Sequence, residues 1–233
     1  MRLDPLHHTI IATDVERSSS RNDVLLLQMR RDLRDMLSDT LARQGIELDE
    51  LTTIDDGDGF RLLLPSRISP SAALDPFIGR LGIELRMHRA RSSQANRLRL
   101  RVAVHAGLLH REPGGTYTGT PLKECARLLD APAGRELLRS SPGTNLVLLV
   151  SDSFYTTVVR NDGSLDPAAF RRIPVLVKET DEHAWAYLPE GGGARPPEQP
   201  EKPARAADGG SRVTIVGDGH HFNGPIFGGG QHG

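Results

Sequence analysis

Strand-like and helix-like segments alternate along residues 9–188, and this order constrains the fold more than any other feature of the sequence. Short β-branched runs are followed by stretches whose apolar residues recur at helical spacing. The order β-α-β-β-α-β-α-β-α-β-β predicts an α/β fold with a single mixed sheet and helices on one face. We therefore expect one folded domain at residues 1–188.

The pattern of apolar residues assigns each predicted strand and helix to a range of residues. Strands are predicted at residues 8–13, 51–54, 60–64, 98–109, 146–150, 173–178 and 183–188, and helices at residues 24–44, 71–87, 122–138 and 151–159. The sequence DDGDG at residues 55–59 indicates a hairpin, because glycine supplies the positive φ that a tight turn needs. Residues 189–211 are rich in proline, glycine and charge, which predicts a flexible linker.

Charge and cysteine content exclude several classes of protein. The 29 lysine and arginine residues nearly cancel the 30 aspartate and glutamate residues, so no global field favours nucleic acid or an acidic membrane. The one cysteine, Cys125, cannot form an internal disulfide. No apolar run approaches the roughly 20 residues of a membrane helix, and the N-terminus lacks the pattern of a secretory signal. These features predict a soluble cytoplasmic protein.

Two aspartates lie where strands meet loops. Asp14 follows the first β-run and precedes a serine-rich loop that leads into a helix. A carboxylate in that position could hold Mg²⁺ while the amides at the helix start hold phosphate, although a capping or turn role is also open. Asp58, in the hairpin sequence, is either a second metal ligand or simple turn chemistry. Arg127, on the predicted helix 122–138, would by itself be a solvated surface residue.

Together these segments resemble the class III nucleotidyl cyclases, the adenylate and guanylate cyclases, and their actinobacterial members in particular. TDVERSSSRND at residues 13–23 resembles the first metal loop of the family, and DDGDGF at 55–60 resembles the hairpin with the second metal aspartate. LRVAVHAGLLHREPGG at 100–115 resembles the strand that leads to the dimer-face loop. GTPLKECARLLDA at 119–131 is similar to the Gly-Asp-x-Val-Asn-x-x-x-Arg-Leu segment, and FRRIPVLVKETDEHAWAYLP at 170–189 to the closing hairpin of actinobacterial relatives.

The resemblance implies a ferredoxin-like cyclase fold and a set of roles. Asp14 and Asp58 would bind two divalent ions, Mg²⁺ or Mn²⁺, about 3.5–4 Å apart. Arg127 would stabilise the charge that develops as pyrophosphate leaves, and Lys178 would neutralise the outer triphosphate oxygens. The backbone N–H groups of one turn would bind the phosphates: Val15, Glu16, Arg17, Ser18 and Ser19. Because the metals come from one subunit and the arginine from the other, a homodimer with shared active sites is implied.

Three positions depart from the family pattern. Lys123 stands where active relatives carry the asparagine that orients the ribose, and a lysine cannot copy the paired donor and acceptor of an amide. Ile54 and Thr116 occupy the positions of the lysine and acidic residue that read a purine. Two interpretations remain open: an enzyme that uses another base, or a cyclase-like module that binds nucleotide or a protein without turnover.

The tail at residues 212–233 carries a separate resemblance. VTIVGDGHHFNGPIFGGG at 213–230 resembles the short amyloid signalling motifs of actinobacteria, which are similar to the RIP homotypic interaction motif of animals. Stacked in register, such segments would pair every backbone group along a fibril and recruit a protein with a matching motif. The alternative is a glycine-rich disordered end with an incidental β-run. Pro225 would have to lie at a turn or edge.

Overall fold

The computed structural model describes residues 4–163, 165–177 and 180–189. Lys178 and the tail lie outside the described residues, as does nearly all of the linker. The roles expected of Lys178 and of the amyloid-like motif therefore stay predictions.

Within the described residues, eight strands form one twisted mixed sheet. The strands are β1 (Leu6–Val15), β2 (Thr52–Asp55), β3 (Phe60–Pro65), β4 (Leu100–Arg111), β5 (Tyr117–Thr118), β6 (Leu146–Ser151), β7 (Arg171–Val177) and β8 (Thr180–Tyr187). Their order is β2-β3-β1-β4-β6-β8-β7, and the short β5 pairs with the end of β4. Only the β4–β6 pair among these strands is parallel. The predicted mixed and mainly antiparallel sheet is confirmed.

Four longer helices cover the sheet: α1 (Asp23–Ala42), α2 (Phe77–Arg91), α3 (Thr120–Asp130) and α4 (Pro132–Ser140). A further helical segment after β6 runs from Asp152–Phe154 through a π-helical turn, Tyr155–Val159, to Arg160–Asp162. No helix in the described part of the chain combines the length and the apolar character needed to cross a membrane.

The helices lie on both faces of the sheet, which differs from the one-face arrangement expected from the sequence. The first face packs against α1 and α2, where Leu33 and Leu81 join a core that includes Val104. The second face packs against α3 and α4, where Cys125 joins a core that includes Ala103. Because successive strand residues point to opposite faces, the neighbours Ala103 and Val104 contribute to different cores.

The single helix predicted at residues 122–138 is two helices. Ala131 separates α3 from α4 and has φ −55° and ψ 124°, outside the helical region. Pro132 explains the break, because a proline removes a backbone donor and disfavours the helical conformation of the residue before it.

The β2–β3 hairpin is fastened to β1 by one threonine and one glycine. The Thr13 hydroxyl donates to the Phe60 carbonyl over 3.1 Å and accepts from the Phe60 N–H over 2.9 Å. The Val15 N–H donates to the Asp58 carbonyl over 3.1 Å. A Cβ at Gly59 would lie only 1.7 Å from the Thr13 carbonyl oxygen. Only glycine therefore allows the hairpin to approach β1 this closely.

We expect Gly59→Ala to destabilise the protein by at least about 2 kcal/mol, because a new methyl group would be forced into backbone atoms that cannot move aside. Gly143→Ala is the matched control, since a Cβ there meets no atom within 4 Å. Its effect should stay within about 0.5 kcal/mol. Urea unfolding followed by circular dichroism measures both, and equal stability of the two variants would contradict the close approach.

Candidate functional site

Asp14 and Asp58 come together although 44 positions separate them in the sequence. Asp14 is next to last in β1 and Asp58 lies in the β2–β3 hairpin, close enough for Asp58 to raise the pKa of the Asp14 carboxyl. The Ser18 hydroxyl donates to Asp58 Oδ2 over 2.9 Å. Both aspartates line a cavity of about 400 Å³, which we call the carboxylate cavity. Its other charged lining residues are Asp56, Arg61, Arg101, Asp130 and Arg135.

Arginines counter the acidic charge of this cavity. Arg101 lies directly opposite Asp14 in the β1–β4 register and forms an ion pair with it. Arg61 pairs with Asp56, its Nε donating to Asp56 Oδ2 over 2.6 Å. The pKa of Asp14 is raised to about 6, chiefly by burial and in addition by the neighbouring Asp58, while Arg101 opposes the shift.

The donor set of the carboxylate cavity suits a hard divalent cation. Mg²⁺ is commonly bound through one or two carboxylates, with water and substrate phosphate completing its shell. Asp14 and Asp58 would supply two such ligands, and because the pKa of Asp14 is raised to about 6, a proton would compete with the cation for its oxygens. No group of three or more histidine, cysteine or acidic side chains in the described ranges is arranged to hold a metal alone. A cation here would have to draw Asp14 away from Arg101.

The loop that follows β1 offers fewer free amides than its sequence suggests. The Val15 N–H is donated to Asp58 and the Glu16 N–H to the Arg99 carbonyl, over 2.9 Å. The N–H groups of Arg17, Ser18 and Ser19 have no backbone acceptor within the part of the chain described here. Arg17 adopts a left-handed conformation with φ 59°, which turns the chain into the short 3₁₀ segment Ser18–Ser20. Of the five amides predicted to bind phosphate, only those of Arg17, Ser18 and Ser19 are therefore available as donors.

Arg127 lines a different cavity, on the other side of α3 from the aspartates. This second cavity, of about 400 Å³, is also lined by His105, Glu124 and Ser151, and we call it the histidine cavity. His105 bridges Glu124 through Nε2 and Ser151 through Nδ1, each over 2.8 Å. Burial lowers the pKa of His105, and the neighbouring Glu124 opposes that shift.

Helix α3 keeps the two cavities apart. Its buried side chains, Leu122, Cys125 and Leu128, belong to the core on the second face of the sheet. Ala126 and Leu129 face the carboxylate cavity, and Arg127 faces the histidine cavity. One chain therefore does not place Arg127 in a common cavity with Asp14 and Asp58.

The remaining predicted site residues lie away from both cavities. Lys123 is exposed on α3 and lines neither cavity. Ile54 is half-buried and packs against the second core. Thr116 is exposed in the loop between β4 and β5, where its hydroxyl donates to Glu112 over 3.3 Å. The structure thus brings Asp14, Asp58 and Ser18 together. Lys123, Ile54 and Thr116 lie elsewhere.

Sequence reasoning missed the arginines of the carboxylate cavity. Arg101 lies within a predicted strand, where its alternation with apolar residues marked it only as strand surface. Its role becomes visible once the β1–β4 register is known, because Asp14 is its cross-strand partner. Arg61 is hidden in the same way, since its partner Asp56 belongs to the turn of its own hairpin.

Comparison with solved structures identifies the fold. The structure of an adenylate/guanylate cyclase/hydrolase from Silicibacter pomeroyi matches with a TM-score of 0.55 and 17% identity, covering 80% of this chain and 99% of that one. The guanylyl cyclase Cya2 matches with a TM-score of 0.53 and 12% identity, covering 81% and 93%. A dimeric guanylyl cyclase domain from the fungus Blastocladiella emersonii matches with a TM-score of 0.52 and 12% identity, covering 80% and 98%. The chain therefore has the fold of class III cyclase domains.

No protein-family model matches the chain, and no curated protein matches it.

We expect the pKa of the Asp14 carboxyl to respond in opposite directions to its two charged neighbours. Asp58→Asn removes a negative charge and should lower this pKa from about 6, whereas Arg101→Met removes a positive charge and should raise it. The pH titration of the ¹³C carboxyl shift measures both, with Asp14→Asn identifying the resonance. Exposed Asp39→Asn is the control and should leave the value unchanged. A shift in the same direction in both variants would contradict the geometry of the cavity.

Proposed function

We propose that this chain acts as a class III nucleotidyl cyclase-type domain, in which a nucleoside triphosphate is converted to a 3′,5′-cyclic nucleotide and pyrophosphate. The observation that carries the proposal is the Asp14–Asp58 pair beside the loop after β1, on a fold shared with solved cyclase domains. The neighbouring structures include a guanylate cyclase domain in complex with GTP and a cyclase core in complex with ATPαS.

The residues of this chain suggest a division of labour. The 3′-hydroxyl oxygen would attack the α-phosphorus, the bond from that phosphorus to the bridging oxygen would break and release pyrophosphate, and the hydroxyl proton would pass to solvent water. The free amides of Arg17, Ser18 and Ser19 would hold phosphate oxygens at the start of a helical segment. Arg127 would stabilise the charge that builds up on the leaving pyrophosphate. Divalent ions at Asp14 and Asp58, Mg²⁺ or Mn²⁺, would activate the hydroxyl and neutralise the triphosphate.

A homodimer would complete the site. Arg127 and the aspartates of one chain line separate cavities with α3 between them. In a two-fold dimer, the Arg127 side of each chain could face the aspartate side of the other chain. The dimer would then hold two equivalent sites. Solved neighbours include a fungal guanylyl cyclase domain described once as a non-canonical dimer and once as monomeric. Each active site would then draw residues from both subunits.

This chain lacks the lysine and the acidic residue that recognise the base in purine cyclases, because Ile54 and Thr116 occupy their positions. Ile54 offers no hydrogen bond, and the Thr116 hydroxyl is engaged with Glu112. Neither position supplies the contacts that read adenine or guanine in the family, so the proposed enzyme would use another base. Lys178, if it contributes to triphosphate binding, would do so from outside the described residues.

A second function, nucleotide or protein binding without turnover, is favoured by two observations. Arg101 already neutralises Asp14, and exposed Lys123 replaces the asparagine expected near the ribose. Loss of one oriented transition-state group commonly lowers the rate by about 10²–10³. The same fold would then serve as a dimeric binding module.

Complementation between inactive variants tests the shared site. With each of the four nucleoside triphosphates and Mn²⁺, we expect a cyclic product from the unmodified chain and none from Asp58→Ala or Arg127→Ala alone. After mixing and exchange of subunits, about half of the dimers would be mixed and each would hold one intact site of two, restoring about a quarter of the activity. Cyclic product is identified by mass spectrometry.

Several results would contradict the enzymatic proposal. Binding of a triphosphate without cyclic product would favour the second function. Product that persists in Asp58→Ala would show that the carboxylate pair is not the reaction centre. Failure of the mixture to recover activity, with both variants folded and dimeric, would exclude a site shared between subunits.

The tail at residues 212–233 supports a proposal of its own, coupling to a protein with a matching motif. Its β-branched run and its asparagine-glycine-proline sequence suit stacking into a cross-β assembly, and the predicted linker would leave it accessible. The cyclase-like domain would then be brought to a sensor, or kept in an assembly, by its tail.

A peptide spanning residues 211–233 should form fibrils that bind thioflavin T and show a cross-β spacing of about 4.7 Å. Replacing Ile215 and Val216 with aspartate should abolish assembly, because two charges would stack in every layer. A peptide that stays monomeric at high concentration would contradict the motif.

A further inference from the structure

A third cavity, of about 400 Å³, lies at the end of the sheet where β1 ends and where β4 and β6 begin. Its walls come from the loop after β1, the end of α2, the segment before β4 and the turn before β6. We call it the arginine cavity. Its lining includes six arginines and a single acidic residue, Glu16; the arginines are Arg17, Arg21, Arg89, Arg97, Arg99 and Arg139.

Three of the guanidinium groups are held in place by oxygen atoms of the surrounding turns. Arg21 donates to the carbonyls of Ala95 and Arg97, each over 2.8 Å. Arg89 donates to the Pro142 carbonyl over 3.2 Å and to Asn145 Oδ1 over 3.1 Å.

Arg99 is the most constrained of the three. It donates to the carbonyls of Thr144 over 3.0 Å, Ser141 over 2.9 Å and Leu138, and it pairs with Glu16 over 2.7 Å. Carbonyl oxygens orient a guanidinium but do not cancel its charge. These three arginines are therefore positioned without being neutralised, apart from the single Glu16 contact.

The positive charge of the cavity has little protein counterpart. Within the described ranges, the side chains of Arg17 and Arg97 have no hydrogen-bond or ion-pair partner. Arg21 Nε is buried and has no hydrogen-bond partner. Arg139 pairs with Glu136, but both side chains are more than half exposed, so solvent screens that pair. Like charges gathered this closely repel each other, and an anionic ligand would relieve the repulsion.

We infer that the arginine cavity binds a small molecule that carries at least two phosphate groups. Guanidinium groups match phosphate oxygens in bidentate pairs, and their number here exceeds what a single phosphate could neutralise. The volume lies in the range of small-molecule pockets. The cavity adjoins the proposed nucleotide site through Arg17, but it is a separate space whose lining contains neither Asp14 nor Asp58.

The loop after β1 separates the two sites. Ser18 binds Asp58 on one side, whereas Glu16 and Arg17 line the arginine cavity on the other. The chemistry of the two sites also differs, because carboxylates attract a cation and its phosphate complex, whereas arginines bind the phosphate directly. A chelator therefore separates them experimentally.

Isothermal titration of the full chain with tripolyphosphate, in EDTA and at constant ionic strength, tests the inference. We expect one site per chain and an affinity at least tenfold higher than for inorganic phosphate. Arg97→Ala/Arg139→Ala should weaken the binding at least tenfold, because both residues are exposed and neither is needed to hold the turns. Arg31→Ala/Arg160→Ala removes the same charge elsewhere on the surface and should change the affinity less than twofold.

Asp58→Asn should keep the full affinity, which separates this site from the proposed nucleotide site. Arg97→Gln/Arg139→Gln provides a second test if the alanine variant unfolds. The inference is overturned if the two double variants weaken binding equally, if Asp58→Asn abolishes it, or if tripolyphosphate binds no better than phosphate. A single-stranded oligonucleotide provides a further test. The inference is also overturned if the oligonucleotide displaces tripolyphosphate and its own affinity falls with salt more steeply than contacts to six arginines can explain, since that result would indicate a nucleic-acid surface.

Discussion

The contact between the β2–β3 hairpin and β1 determines the rest of the site. Thr13 uses its hydroxyl as both donor and acceptor toward Phe60, and Gly59 leaves no side chain between the two backbones. Asp14 follows Thr13 and Asp58 precedes Gly59, so the same contact brings the two carboxyl groups to one cavity. Partial burial, together with repulsion by Asp58, explains why the pKa of Asp14 rises to about 6. The pairing of the two carboxyl groups, on which the proposed cation site rests, is thus a consequence of backbone packing rather than of loop conformation.

The position of α3 gives this packing a second consequence. The helix is fixed by a buried apolar stripe on the second face of the sheet, so Arg127 cannot move to the aspartate side without loss of the core. Chemistry that needs Arg127 and Asp58 together would need two chains. A fold that divides complementary groups between two cavities would be active only on dimerisation, which makes association itself a means of control.

Local sequence signals predicted the elements of this fold well, and long-range pairing explains most of what they missed. Alternation in residues 98–109 predicted β4, and the DDGDG turn predicted the hairpin that carries Asp58. The break at Pro132 is also a local signal, which the apolar spacing of residues 122–138 obscured. Arg101 could not be assigned, because its partner Asp14 is identified only by the β1–β4 register. The arginine cavity was hidden further, since its residues are spread over more than 120 positions of a chain whose total charge is close to zero.

Arg101 links the two functions proposed for the site. In the absence of a cation it stabilises the charged form of Asp14, so it partly performs the task that a divalent ion would perform. A cation at this site would therefore have to displace a guanidinium as well as a proton, and both exchanges would reduce its affinity. A bound triphosphate would change this balance, because its oxygens would offer Arg101 a new partner and the cation additional ligands. Two retained carboxylates are thus compatible with weak binding of the metal alone and with strong binding of the metal and nucleotide together.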